Sequence, residues 1–338
     1  MAGINLLSLE KTTLSRDLSG YITYIYGPGK IGKTTFGVQL PSPLLLAFER
    51  GYNALPGVYA QDVTTWAEMK LILRELKKPE VQSKFKSIVV DTIDICVDLC
   101  TKYICNQEGV SELSQIQWGQ GWTKVKKEIE STFRAVTQLG YAVLFISHDK
   151  DKEFTRTDGS KYNQVVPTMG NSFNEIIRNM ADFYVYAHMA PTNDGGYKRV
   201  LTIRSQDDSI ACGSRFKYIV PEVDFSYEAF VKAINDAIDK QAAELNGEFV
   251  TEARTTTNTK PVELNYDDLM NQFNEIITKI SNSADEEKMD KYWAPRITEI
   301  TDKYLGVGGK VSQCTRAQTE QIALIVTELQ DLIAEANI

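Results

Sequence analysis

The chain has 338 residues, 43% of them hydrophobic and 24% charged, and a formal net charge of −8. At about 150 residues per domain this length suggests two domains, or a large one and a small one. The composition excludes wholesale disorder, a collagen-like repeat and a disulfide-stapled miniprotein. The charge is uneven: residues 1–200 carry a net +2 and residues 201–338 a net −10. Overall acidity argues against a chain coated with nucleic acid but leaves room for a basic groove in the first part.

No apolar run reaches the length of a membrane span, so no membrane partner is expected. The start lacks a basic segment followed by an apolar one, and Ala2 stands where myristoylation needs glycine. A cytoplasmic place is therefore expected. Five cysteines without a CxxC, and only two histidines, fit reduced buried thiols better than disulfides or a metal centre.

Residues 1–20 read as a leader with one short amphipathic piece. Tyr21–Tyr26 is β-branched and aromatic, a strand, followed by a glycine-rich turn and a helix that Pro41 ends. Leu44–Phe48 is a second strand, Trp66–Lys78 a helix and Ser87–Asp91 a third strand. Ile93–Glu108 and Trp122–Leu139 have helical periodicity, with Gly109 and Gly140 as stops, and Tyr141–Ser147 is a fourth strand. Residues 148–170 are polar and weakly periodic, a long loop or small hairpin. Phe183–Ala187, Arg199–Arg204 and Phe216–Val220 supply further strands, and a helix runs from Tyr227 to about Leu245. Such alternation predicts an α/β domain over 21–245, with a mostly parallel sheet and helices on both faces. Residues 246–263 are threonine-rich and polar, a linker. Beyond it, Tyr266–Ser281, Asp285–Tyr304 and Thr315–Ala336 read as a small domain of three helices, with Thr315 and Gln318 placed as a capping box.

The strongest chemical signal is Gly27, Pro28, Gly29, Lys30, Ile31, Gly32, Lys33, Thr34. It fits GxxxxGK[ST] and lies between a strand and a helix, the context that motif needs. The glycines let backbone N–H groups turn inward on phosphate oxygens, Lys33 can reach the β- and γ-phosphates, and the Thr34 hydroxyl can ligate Mg²⁺. Asp91 closes the apolar strand Ile88–Asp91 and, with the P-loop upstream, suits the same ion; the alternative is a surface carboxylate that caps the next helix. Glu49, at the end of the second strand, either orients an attacking water or is a surface carboxylate paired with Arg50. His148, at the end of the fourth, is either structural or a reader of the γ-phosphate at the carboxyl edge of the sheet.

Together these segments resemble the RecA-like ATPases, and more closely the phage AAA-type ATPases grouped with recombination and single-strand-annealing helpers. The resemblance spans about residues 20–240. GPGKIGKTT, including Thr35, is similar to the family's Walker A, LLLAFERGYNAL to the segment bearing its catalytic glutamate, SIVVDTID to its Walker B and VLFISHDK to its strand-four sensor. It therefore implies a RecA-like fold, ATP and Mg²⁺ as cofactors, and catalytic roles for Lys33, Glu49, Asp91 and His148. ACGSRFKYIVPEV is similar to a late basic segment, which implies that Arg215 or Lys217 reaches a nucleotide, across a subunit interface in a homo-oligomer. Ala47 and Phe48 stand where the family commonly has an Asp before that glutamate, and the last three helices match no part of it.

The resemblance also implies single-stranded DNA along the loops after strands three and four. In residues 148–170, Lys150, Lys152, Arg156 and Lys161 alternate with Phe154 and Tyr162, a mixture suited to phosphate neutralisation and base stacking. Four acidic residues interleave with them, so a solvated hairpin competes with that reading. The expected function is an ATP-hydrolysing protein acting on single-stranded DNA in phage-type recombination, replication or annealing. Expected partners are a single-strand-binding protein or recombinase and further copies of itself, in the host cytoplasm. A nucleotide-gated loader of another protein, with little hydrolysis, is the alternative, and a small-molecule kinase a weaker third.

Overall fold

The computed structural model describes residues 11–246, 249–252 and 264–336. Most of the expected linker lies outside the described residues, as do the first ten residues of the expected leader. The described residues divide into two compact units, 11–252 and 264–336.

The first unit begins β1 (Leu14–Ser15), β2 (Ile22–Tyr26), α1 (Lys33–Gly37), β3 (Pro43–Ala47), β4 (Ala60–Asp62), α2 (Trp66–Leu76), α3 (Pro79–Lys84) and β5 (Ser87–Asp91). It continues with α4 (Ile93–Gln107), α5 (Gln120–Gln138), β6 (Ala142–Ser147), β7 (Asp149–Thr155), β8 (Lys161–Pro167) and α6 (Asn171–Met180). It closes with β9 (Phe183–Pro191), β10 (Tyr197–Thr202), β11 (Gly213–Ser214), β12 (Glu222–Asp224), α7 (Tyr227–Glu244) and β13 (Val250–Thr251).

The main sheet runs β12-β10-β9-β2-β6-β5-β3-β4, with β11 on β9. From β9 to β4 every pairing is parallel, and β10, β11 and β12 add an antiparallel edge. β2, β5 and β6 are buried along their whole length, so their sequences are apolar on both faces rather than alternating. Period two then divides them between two cores. Tyr24, Tyr26, Val90 and Phe145 face α2, α4 and α5, whereas Ile25, Val89 and Leu144 face Phe36 of α1 and Phe230 and Ile234 of α7. The expected α/β architecture, helices on both faces of a mostly parallel sheet, is what forms.

Several segments differ from expectation, and Ala60–Asp62 and Pro79–Lys84, expected as no element, form β4 and α3. Phe216–Val220 forms no strand; Ile219 N–H turns back to the Phe216 carbonyl, and the sheet is extended by β11 and β12 on either side. Pro221, which lacks an N–H, lends its carbonyl to Ile203 and Arg204 instead. Asn171–Met180, expected as no element, is a strongly amphipathic helix burying Ile177 and Met180. Leu14–Ser15 pairs in parallel with Val250–Thr251, so the end of the expected leader and the start of the expected linker form a ribbon.

In the second unit, α8 (Tyr266–Ser283), α9 (Glu286–Lys288), α10 (Ala294–Leu305) and α11 (Thr319–Glu335) enclose their own core around Ile276, Ile280, Trp293, Ile322, Ile325 and Leu329. The helix expected over Asp285–Tyr304 opens into a π turn at Met289–Trp293, just before Pro295, whose missing N–H breaks the regular ladder. The Thr315–Gln318 capping box is present, with Thr315 N–H on Gln318 Oε1 at 2.8 Å. Among the described residues no helix is long and apolar enough to cross a membrane.

Candidate nucleotide site

The carboxyl ends of β2, β6, β5 and β3 lie side by side and carry the motif residues together. The loop after β2 turns tightly over its neighbour: a Cβ on Gly27 would stand 2.2 Å from the Ala187 carbonyl oxygen of β9, so only glycine fits. Gly32 takes φ +113°, a conformation closed to most side chains, and brings the chain into α1. α1 is shorter than expected, five residues, and is seated hard on the sheet; a Cβ on Gly37 would meet Val89 at 2.8 Å and Leu144 at 3.0 Å.

Lys33 is not an exposed side chain but is 5% accessible, and its ammonium donates to the Gly27 and Pro28 carbonyls at 2.7 and 2.8 Å. Burial lowers its pKa, against the pull of Asp91, Asp149, Glu49 and Asp94. The cation is thus stored on the loop's own carbonyls. An incoming phosphate offers it stronger, charged acceptors.

Thr34 and Asp91, expected as metal ligands, are in direct contact: the Thr34 hydroxyl donates to Asp91 Oδ2 at 2.6 Å. Asp91 is 3% accessible, and burial raises its pKa. Gly51 leaves the space beside them open, since a Cβ there would lie 3.6 Å from Thr34 Oγ1 and 3.7 Å from Asp91 Oδ2. One hydroxyl and one carboxylate are the sparse, hard-oxygen donor set that suits Mg²⁺ carried in with phosphates and water. Among the described residues no cluster of three or more His, Cys, Asp or Glu side chains could hold a metal by itself.

Glu49 and His148 come together from two strand ends, His148 Nε2 lying 3.6 Å from Glu49 Oε1. The Glu49 and Phe48 amides both bond the Asp91 carbonyl, at 3.2 and 2.7 Å, which fixes the β3 exit beside Asp91. A carboxylate held half-exposed there can accept a proton from water, and His148 can hold the carboxylate in place. His148 also roots the hairpin: its carbonyl accepts from Thr168 N–H at 2.9 Å, and the Thr168 hydroxyl donates to Asp94 in the first turn of α4 at 2.7 Å.

The segment after His148 is a regular hairpin of β7 and β8. Its register sorts the interleaved charges by face. Lys150, Lys152, Phe154 and Arg156 share one face with Tyr162 and Gln164, whereas Asp149, Asp151 and Glu153 share the other with Lys161. On the basic face Phe154 and Tyr162 stack at 5.6 Å, Lys152 lies 4.7 Å over Phe154 and Arg156 4.3 Å over Tyr162. Lys161 leaves the expected set: it stands on the acidic face and pairs with Glu153 at 2.8 Å. Arg156 is also held by Asp208 at 2.7 Å, and Lys150 by the Thr168 carbonyl at 2.8 Å.

Arg215 does not join the site of its own chain. It bonds Asp182 and the Asn179 carbonyl at the amino end of β9, four strand residues, roughly 13 Å, from where Gly27 crosses that strand. Lys217 is farther along the same segment, paired with Glu244. The cation that does reach the P-loop, Arg199, was not anticipated. From β10 its guanidinium donates to the Ile31 carbonyl at 3.2 Å. A lone arginine in an expected strand carries no sequence signal; only the β9–β10 register brings it here.

A phosphate-binding loop, a hydroxyl–carboxylate pair and a second carboxylate at adjoining strand ends define a P-loop nucleotide-binding protein. The AAA domain family matches residues 19–216, more than half of the chain, and the chain belongs to that family. It is also similar to the SPbeta prophage-derived uncharacterized protein YorG of Bacillus subtilis (strain 168), 28% identical over 98% of this chain and 99% of that one.

Proposed function

We propose that the chain is a Mg²⁺-dependent, RecA-like ATPase that works on single-stranded DNA in phage recombination, replication or annealing. The observation that carries the DNA half of this reading is the sorting of the hairpin, which turns a segment of zero net charge into a basic, aromatic face backed by an acidic one. Such a face neutralises a strand's backbone and offers rings to its bases. The prophage origin of the relative favours a phage setting.

Within the site, the P-loop amides and Lys33 bind the phosphates, Thr34 and Asp91 hold the ion, and Glu49 orients and deprotonates the water. Mg²⁺, when bound, supplies neutralisation of the β- and γ-phosphate charge. His148 links that chemistry to the hairpin, because it touches Glu49 through its ring and Thr168 through its carbonyl. Loss of the γ-phosphate thereby changes the footing of the DNA-binding face. In a homo-oligomer Arg215, 60% exposed and remote from its own P-loop, serves the nucleotide of a neighbouring copy. The C-terminal helices then dock a single-strand-binding protein or recombinase.

A salt series with a fluorescent oligo-dT strand tests the reading. Binding by this chain is expected to weaken with a log–log slope of about −0.7 per phosphate contacted, and to differ between ATP and ADP. No binding in either nucleotide state defeats the DNA assignment.

A further inference from the structure

The site described so far accounts for phosphates and metal but leaves the nucleoside without a seat. Its direction follows from the sheet order. The ion-holding pair Thr34–Asp91 lies toward β5, two strands to one side of β2, and Glu49 farther out on β3. The γ-phosphate belongs at that end, beside the ion and the water-orienting carboxylate. A triphosphate lying along the loop therefore points its sugar and base the other way, toward β9 and β10.

That flank is already built. At Gly32 a Cβ would meet the Arg199 guanidinium at 3.1 Å and the Phe225 ring at 3.4 Å. Phe225 is fixed in turn, stacked on Phe36 of α1 at 5.5 Å and donating its N–H to the Arg199 carbonyl. Arg199 stands directly across from Met189, and Tyr197 two residues on shares its face. Tyr197 and Met189, both large, are 72% and 48% exposed.

We infer that Tyr197, Arg199 and Met189 form the seat for the base of the nucleoside triphosphate. Arg199 keeps its bond to the Ile31 carbonyl and presents the flat of its guanidinium, Tyr197 presents its ring, and Met189 closes the edge. Arg199 and Tyr197 hold a base by its face, and Met189 offers no hydrogen bond that reads its edge. The seat accordingly favours nucleoside triphosphates over bare polyphosphate and discriminates weakly between adenine and guanine. The inference rests on the P-loop's holding a nucleoside triphosphate.

The test is calorimetric titration of the full chain, with Mg²⁺, by ATP, GTP and inorganic tripolyphosphate. Tyr197→Ala and Arg199→Ala are expected to weaken ATP and GTP about 5- to 150-fold, the range of a lost base stack, while tripolyphosphate binds as to wild type. Tyr197→Phe keeps the ring and should bind ATP as wild type does, which separates stacking from a damaged fold. Unchanged ATP affinity in both alanine variants, or an equal loss for ATP and tripolyphosphate, overturns the seat. Lys33→Ala is the control on the P-loop itself: it should lose all three ligands, and its retaining them would sink the nucleotide reading rather than the seat.

Discussion

The phosphate end of the site and the β7–β8 hairpin, far apart in the chain, are built on opposite principles. Around Lys33, Thr34 and Asp91 the charges are buried and each is held by a specific partner. On the hairpin the charges are exposed or half-buried, and what matters is the face they stand on. Chemistry on a phosphate needs groups fixed to fractions of an ångström. Tracking a flexible strand needs only a surface of one sign with rings in it. Single substitutions should therefore act steeply in the first region and gradually in the second.

The largest effect is expected at Glu49. Glu49→Gln keeps size and hydrogen bonding but removes the base, so turnover should fall about 10²-fold or more with ATP affinity retained. Equal loss of binding and turnover in steady-state and titration measurements would make Glu49 a structural residue. On the hairpin, Lys152→Ala with Arg156→Ala should flatten the salt slope of DNA binding by roughly one to two units and leave ATP binding unchanged.

A smaller effect sharpens the contrast from the side of stability. Burial holds the Asp91 carboxyl above its ordinary pKa, so the folded chain binds that proton more readily than the unfolded chain does. The resulting stability is present at low pH and is lost as pH rises through the raised value. Asp91→Asn removes the buried charge while keeping an acceptor for Thr34. Without nucleotide it should melt about 2–4 °C higher than wild type near neutral pH. The gap should close toward roughly pH 4, the ordinary carboxylate range. A lower melting temperature at neutral pH would show that the ionised form is the stabilising one. The smallest effect belongs to Lys161→Ala, on the acidic face, which should leave the DNA salt slope where it is; a change like that of the double variant would mean the faces are not separate.

What was legible in the sequence follows the same division. The P-loop, Asp91 and the buried parallel strands are contiguous runs whose residue types state their task, and the structure brings Thr34, Asp91, Glu49 and His148 together as their strand ends implied. The hairpin's two faces were not legible, because its charges alternate and cancel along the chain and separate only when β7 pairs with β8. Arg199 was hidden for a related reason: its P-loop partner Ile31 lies 168 residues earlier and meets it only through the pairing of β10 with β9 and of β9 with β2. The burial of Lys33 reflects a loop that folds its own carbonyls around the ammonium, which no spacing rule conveys.

The most direct test of the account is the ATP hydrolysis rate of the full chain with Mg²⁺, measured without DNA, with an unstructured single strand and with a duplex, for wild type and for the Lys152→Ala, Arg156→Ala variant. The account predicts that the single strand raises the wild-type rate and the duplex does not, and that the variant keeps the basal rate but loses the stimulation. A wild-type rate indifferent to single-stranded DNA would contradict the coupling of the hairpin to the nucleotide site.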